Sequence, residues 1–156
     1  MEITSLLRTF CAAVERRDGA GFAALFTADG IYHDVFYGVF KGRPAITAMV
    51  DDHFHRTAND FRWDMHDPVS DGRTLYARYT FSYRSTLPEA SGARVMFEGV
   101  AIMTLRDGLI TNYREVANTA PAFVAMNFAP ERILKLIARQ GMELKARPEM
   151  ARHLSD

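Results

Sequence analysis

The spacing of apolar and polar positions changes period once along the chain, and the change divides it in two. Ile3, Leu6, Leu7, Phe10, Cys11 and Val14 recur at helical spacing, with Glu2, Arg8, Glu15 and Arg16 on the other side. A first helix is therefore predicted, ending at Arg17-Asp18-Gly19. Phe22, Leu25 and Phe26 predict a short second helix stopped near Asp29-Gly30. A strand and loop follow over Ile31–Gly42, and Pro44 stands where the first turn of a helix tolerates a missing N–H. Ile46, Met49, Val50, His53 and Phe54 line one face of that third helix, which frays over Thr57–Asp60. From Phe61 onward the period is two. Phe61, Trp63 and Met65 alternate with Arg62, Asp64 and His66, and Asp71-Gly72 makes a turn. Leu75, Ala77, Tyr79, Phe81 and Tyr83 form one face of the next strand, opposite Tyr76, Arg78, Thr80, Ser82 and Arg84. After a loop over Pro88–Gly92, Val95, Phe97, Gly99, Ala101, Met103 and Leu105 alternate again, Asp107-Gly108 signals a hairpin, and Leu109–Val116 returns as the last strand. Ile133, Leu136, Ile137, Gln140 and Leu144 predict a terminal helix.

Helices first and a strand meander afterwards read as α+β, with the helices covering one face of a curved antiparallel sheet. The 156 residues make one domain, taken as 1–146 with a loose tail over 147–156. Nineteen basic residues balance nineteen acidic ones, which removes any global electrostatic case for nucleic acid or an anionic membrane. The single cysteine, Cys11, allows no intrachain disulfide. No apolar run approaches membrane-spanning length and the start lacks a signal-peptide pattern, so a cytoplasmic protein is expected. Glycine-rich phosphate loops, nucleophile motifs and metal-ligand spacings are all missing, and no cofactor or metal is expected.

The candidate chemistry centres on Ile31–Gly42, where Tyr32, Phe36, Tyr37 and Phe40 surround a single carboxylate, Asp34. Rings around a carboxyl group make its ionisation costly and raise its pKa toward a range useful for moving protons. The same residue could equally accept hydrogen bonds from its own turn. Tyr32 shares a strand face with Asp34 by period two, either to orient a substrate oxygen or as a core ring. Glu115 shares a face with Tyr113, while Arg114 points the other way; it is either a pocket carboxylate or a solvated one. His53, on an apolar helix stripe, is either a second proton shuttle or a satisfied core histidine. His33, His55 and His66 read as exposed. Trp63, Tyr83, Phe97 and Met103 read as apolar wall, and Met96, Val100 and Ile102 as an outer sheet face suited to a homodimer.

The motif D-x-x-x-G-x-x-x-G-R-x-x-I over Asp34–Ile46, with the late R-D-G-L-I hairpin, resembles the nuclear-transport-factor-2-like superfamily, and within it the SnoaL-like polyketide cyclases and ketosteroid isomerases. The resemblance implies a cone-shaped sheet of cystatin-like roll type, its concave face covered by the N-terminal helices, with a C-terminal helix added. By this resemblance Asp34 is similar to the isomerase base. The two isomerase oxyanion donors fall at Phe10 and Ala101, neither of which can donate. The acid/base aspartate of the cyclases falls at Glu115, and their accompanying histidine again at Ala101. The expectation is a cofactor-independent isomerase, aldol cyclase or dehydratase acting on a small apolar carbonyl compound, with Asp34, Glu115, His53 and Tyr32 carrying the chemistry. Phe10, Tyr37, Trp63, Tyr83, Phe97, Ala101, Met103 and Tyr113 would line the pocket. The competing expectations are a non-catalytic binding domain or an accessory subunit like those of the ring-hydroxylating dioxygenases.

Overall fold

The computed structural model describes residues 2–155. Helix α1 (Ile3–Glu15) turns Leu6, Leu7, Phe10, Cys11 and Val14 into the core, as their spacing requires. Asp18 caps α2 (Gly19–Ala24) by accepting a hydrogen bond from the Gly21 N–H at 2.8 Å. Strands β1 (Phe26–Asp34) and β2 (Gly38–Lys41) follow, then α3 (Arg43–Ala48), which runs on through one wide turn and one tight turn to Arg56. Four long strands come next: β3 (Ala58–Ser70), β4 (Thr74–Ser85), β5 (Arg94–Arg106) and β6 (Leu109–Asn118). Helices α4 (Ala120–Ala125), α5 (Pro130–Lys145) and α6 (Ala151–Leu154) end the chain.

The six strands form one curved, unclosed sheet in the order β2-β1-β6-β5-β4-β3. Every neighbouring pair is antiparallel except β1 and β6, which run parallel, so the sheet is mixed. The period-two face of the meander is the concave one. Leu75, Ala77 and Tyr79 of β4 are buried while Tyr76, Arg78 and Thr80 are exposed; Val95, Ala101 and Met103 of β5 are buried while Met96, Glu98 and Val100 are exposed. The N-terminal helices fill that concavity. Phe10 sits at its centre with no exposed surface, between the rings of Phe22, Trp63 and Tyr113. No helix of the described residues is long and apolar enough to cross a membrane.

Three local expectations change. Phe26 begins β1 rather than ending the second helix. Its four-residue spacing from Phe22 mimics a helix stripe, but the two rings meet across the turn between elements, 5.5 Å apart. Asp29-Gly30 is therefore no helix stop; it lies inside β1, where the register against β6 shifts between Phe26 and Ile31. The wide turn at Met49–His53 inserts an extra residue into the third helix, rotating His53 off the stripe of Ile46, Met49 and Val50 and leaving it half-buried. Finally, residues 147–155 carry a tight turn and the short α6, and Glu149 within them pairs with Arg114 on the sheet at 3.4 Å.

Candidate active site

The one parallel pairing in the sheet creates the site. Tyr32 of β1 stands beside Tyr113 of β6, and their rings stack at 4.3 Å and 9°. Side chains two residues further along each strand share the same face, so this register sets Asp34 beside Glu115.

Glu115 is held by phenols. Its Oε2 accepts hydrogen bonds from Tyr79 at 2.5 Å and from Tyr113 at 3.2 Å. Tyr79 belongs to β4, two strands away. It reaches Glu115 by crossing its register partner Gly99 on β5, where a Cβ would lie 2.7 Å from the phenol oxygen. Burial pushes the Glu115 carboxyl up to about 8, and the Asp34 charge adds to the rise. The Tyr79 and Tyr113 hydroxyls and the Val35 N–H act against it.

Asp34 ends β1 in a turn that uses one of its oxygens. Oδ1 accepts from the N–H groups of Phe36 at 2.8 Å and Tyr37 at 2.9 Å, while Oδ2 has no hydrogen-bond partner among the described residues. The turn-acceptor role and a pocket role therefore coexist on one side chain. Burial pushes the carboxyl up to about 6, opposed by the two N–H groups and by nearby His53. Both carboxyls are pushed up by burial, and the charge of one disfavours ionisation of the other, so the pair favours keeping one proton between its two members near neutral pH.

Both carboxylates face a cavity of about 330 Å³. Much of its wall is aromatic, including Phe36, Phe61, Trp63, Phe81 and Phe97, whose rings meet edge-on or tilted, while Arg56, Thr57, Ser85 and Gln140 also border it. Helices α4 and α5 close one side with Phe123, Met126 and Leu136. Arg132 of α5 is occupied at the rim, lying 3.6 Å over the Phe128 ring and paired with Glu89 at 3.2 Å.

The sequence candidates divide clearly. Tyr32, Asp34, Glu115, Tyr37, Trp63, Tyr83 and Phe97 all border this cavity. Tyr113 lies behind it and acts through its hydroxyl on Glu115. Phe10, Ala101 and Met103 are fully buried and do not border it, because α1 packs down onto that end of the sheet. His53 is off the cavity as well. The wide turn places its Nδ1 3.2 Å from the Ala48 carbonyl and packs its ring against Phe40 at 5.1 Å and Tyr37 at 5.7 Å. His33, read as exposed, is half-buried in a neighbouring groove. Sequence reasoning placed Tyr79 on the inner face without assigning it a role, and it missed the contribution of α4 and α5. The glycine at 99, opposite a tyrosine on an otherwise bulky inner face, was the available signal for the first. Among the described residues no three His, Cys, Asp or Glu side chains cluster as a metal site.

Comparison with known proteins agrees with this fold. The SnoaL-like domain family matches residues 7–113. No curated protein matches the chain in sequence. Among solved structures, TsrD from Streptomyces laurentii superposes with a TM-score of 0.68 at 22% identity, over 80% of this chain and 93% of its own. A protein assigned as a polyketide cyclase from Xanthomonas campestris pv. campestris gives 0.64 at 22%, over 79% and 95%. An LEH-like epoxide hydrolase from M. tuberculosis gives 0.62 at 18%, over 88% and 97%. At these identities the likeness is one of fold. The matched stretch runs from α1 to Tyr113, taking in Asp34 and the first half of β6 and ending two residues before Glu115, and the chain belongs to the SnoaL-like domain family, with a ketosteroid isomerase-like, NTF2-like fold.

Proposed function

We propose that the protein is a cofactor-independent acid/base enzyme that isomerises, cyclises or dehydrates a small, largely apolar carbonyl compound. The observation that carries this reading is a pair of buried carboxyls, Asp34 and Glu115, set side by side at the wall of one ring-lined cavity and both pushed up by burial. Asp34 Oδ2, unpartnered and ionised, removes a proton from the carbon beside the substrate carbonyl. Glu115, protonated, donates its O–H to the carbonyl oxygen as negative charge develops there. Tyr79 and Tyr113 hold the Glu115 carboxyl in place, and the aromatic wall keeps water from competing for either group. The enol then regains a proton from Asp34 at another carbon, attacks a second carbonyl whose oxygen takes the Asp34 proton, or expels a β-hydroxyl that leaves as water with the Asp34 proton; in each case the enol O–H returns its proton to Glu115 as the carbonyl re-forms.

Ala101 supports the same reading. It occupies the position where the isomerases carry an acidic donor, and its register partner across β5 and β6 is Glu115. The acid therefore comes from the adjacent strand, and the small Ala101 side chain leaves room for it. The protein is further read as a homodimer through the outer sheet face, where Met96, Val100 and Val116 are exposed; light scattering on the purified chain tests this.

Exchange of α-protons in D2O, followed by NMR on a panel of aryl ketones such as 2-acetonaphthone, tests the chemistry without the natural substrate. The wild-type protein is expected to accelerate exchange, and Asp34→Asn to lower it by about a hundredfold or more, within the usual span of general-base catalysis. Exchange no faster than buffer, or equal rates in wild type, Asp34→Asn and Glu115→Gln, would leave a binding domain as the correct reading.

A further inference from the structure

The carboxylate pair borders two hollows. Beyond the ring-lined cavity lies a groove of about 870 Å³ between the outer side of β4–β6, at Tyr76, Ile102 and Arg114, and the end of α5, and Asp34–Tyr37, Glu115 and Arg139 border both. The two differ in character. The groove's walls include His33, Asn112, Arg114, Arg139 and Arg147, with Glu143 and Glu149 as its other carboxylates. Each of those two is already engaged: Glu143 with Arg139 at 3.4 Å, Glu149 with Arg114 at 3.4 Å. Away from the Asp34–Glu115 pair, one arginine of the groove, Arg147, is left without a carboxylate partner among the described residues. His33 senses it: burial holds its imidazole below the usual histidine range, and Arg114, Arg147 and Lys41 depress it further.

We propose that the site takes an amphiphilic acid, a cyclic or aromatic ketone whose rings fill the apolar cavity and whose carboxylate tail lies in the groove against Arg139 and Arg147. This rests on the acid/base reading above and adds a substrate class to it. The reacting carbonyl stands at the junction, where the carboxylate pair faces both hollows, and the tail points away from Asp34, which would otherwise repel it. Arg139 shifts between Glu143 and the tail at little cost, because an exposed ion pair is weak to begin with. It is a specificity-determining residue, with Arg147 beside it as the second cation.

Calorimetric titration with 4-(2-naphthyl)-4-oxobutanoate and with its methyl ester tests this. The two share rings and ketone and differ only in the charge of the tail. The acid is expected to bind about tenfold more tightly than the ester, the size of one charge-assisted hydrogen bond. In the double variant R139Q/R147Q, at two exposed side chains, the ratio of acid to ester affinity should fall below about threefold; the variant R147Q, whose residue does not border the ring cavity, should lower that ratio while leaving the ester's affinity unchanged. Equal affinities in the wild type, or an advantage that survives the double variant, would overturn the assignment of the tail and leave the acid/base reading standing. If neither compound binds, the cavity is not a ketone site, and both fall together.

Discussion

Glu115→Gln should uncouple the protein's stability from pH in a measurable way. A carboxyl raised from 4.5 to about 8 by folding binds a proton in the native state that the unfolded chain has already lost. Between those values the native state holds more protons, so stability is greatest below the unfolded pKa and declines as pH rises through the folded one. Each unit in that window is worth about 1.36 kcal/mol. Integrated from about pH 5 to about pH 8, the single group removes a few kcal/mol, on the order of 3–4, a large share of the stability of an ordinary domain. Glutamine keeps the shape and cannot titrate. Urea denaturation of both proteins at several pH values is the assay, because carboxylates and histidines common to the two cancel in the difference. The variant should gain on the wild type by a few kcal/mol, on the order of 3–4, between those pH values. A gap that stays constant with pH would mean Glu115 titrates like a solvated glutamate. It would then carry no proton at neutral pH, and the acid role would be refuted.

Three further outcomes are expected. The ketone exchange rate should follow a bell in pH, rising as Asp34 ionises near 6 and falling as Glu115 loses its proton near 8; a profile flat across that range would refute the assignment of both groups. Tyr79→Phe removes the 2.5 Å hydrogen bond that favours ionised Glu115, so the alkaline limb should move up by about one to two units, whereas a purely structural role for the phenol would change rates and leave the limb in place. Gly99→Ala puts a methyl group 2.7 Å from the Tyr79 oxygen and 2.5 Å from the Val116 carbonyl, so it should cost about 1–3 kcal/mol in denaturation and shift the same limb in the same direction.

The legible parts of the fold were those in which sequence neighbours are also neighbours in space. The alternation of Leu75, Ala77 and Tyr79, and of Val95, Ala101 and Met103, survives intact because hairpins join adjacent strands and one face is buried throughout. Phe26 was misplaced because a spacing of four fits both a helix stripe and two rings meeting across a turn. Asp34 stood out through its ring-rich local run. Glu115 came from family position and face parity, and its phenol partners were out of reach of either: Tyr79 meets it only through the β4–β5–β6 register and the gap at Gly99. The α4–α5 wall was invisible for a related reason. Phe123 and Met126 meet the cavity from one short helical segment that leaves no periodic trace, and the stripe carrying Leu136 predicts a helix without saying which part of the sheet it covers.

The parallel contact between β1 and β6 also bears on the order of events in folding. The meander from β3 to β6 closes through short loops, but β1 meets β6 through residues such as His33 and Asn112, 79 positions apart. Closing a long loop carries more entropy than closing a hairpin, so the β1–β6 contact belongs late in the path to the native state. Two acids that resist being brought together are thus joined only after the rest of the sheet can hold them. Relief of their strain, as in Glu115→Gln, should accordingly appear as slower unfolding rather than faster folding.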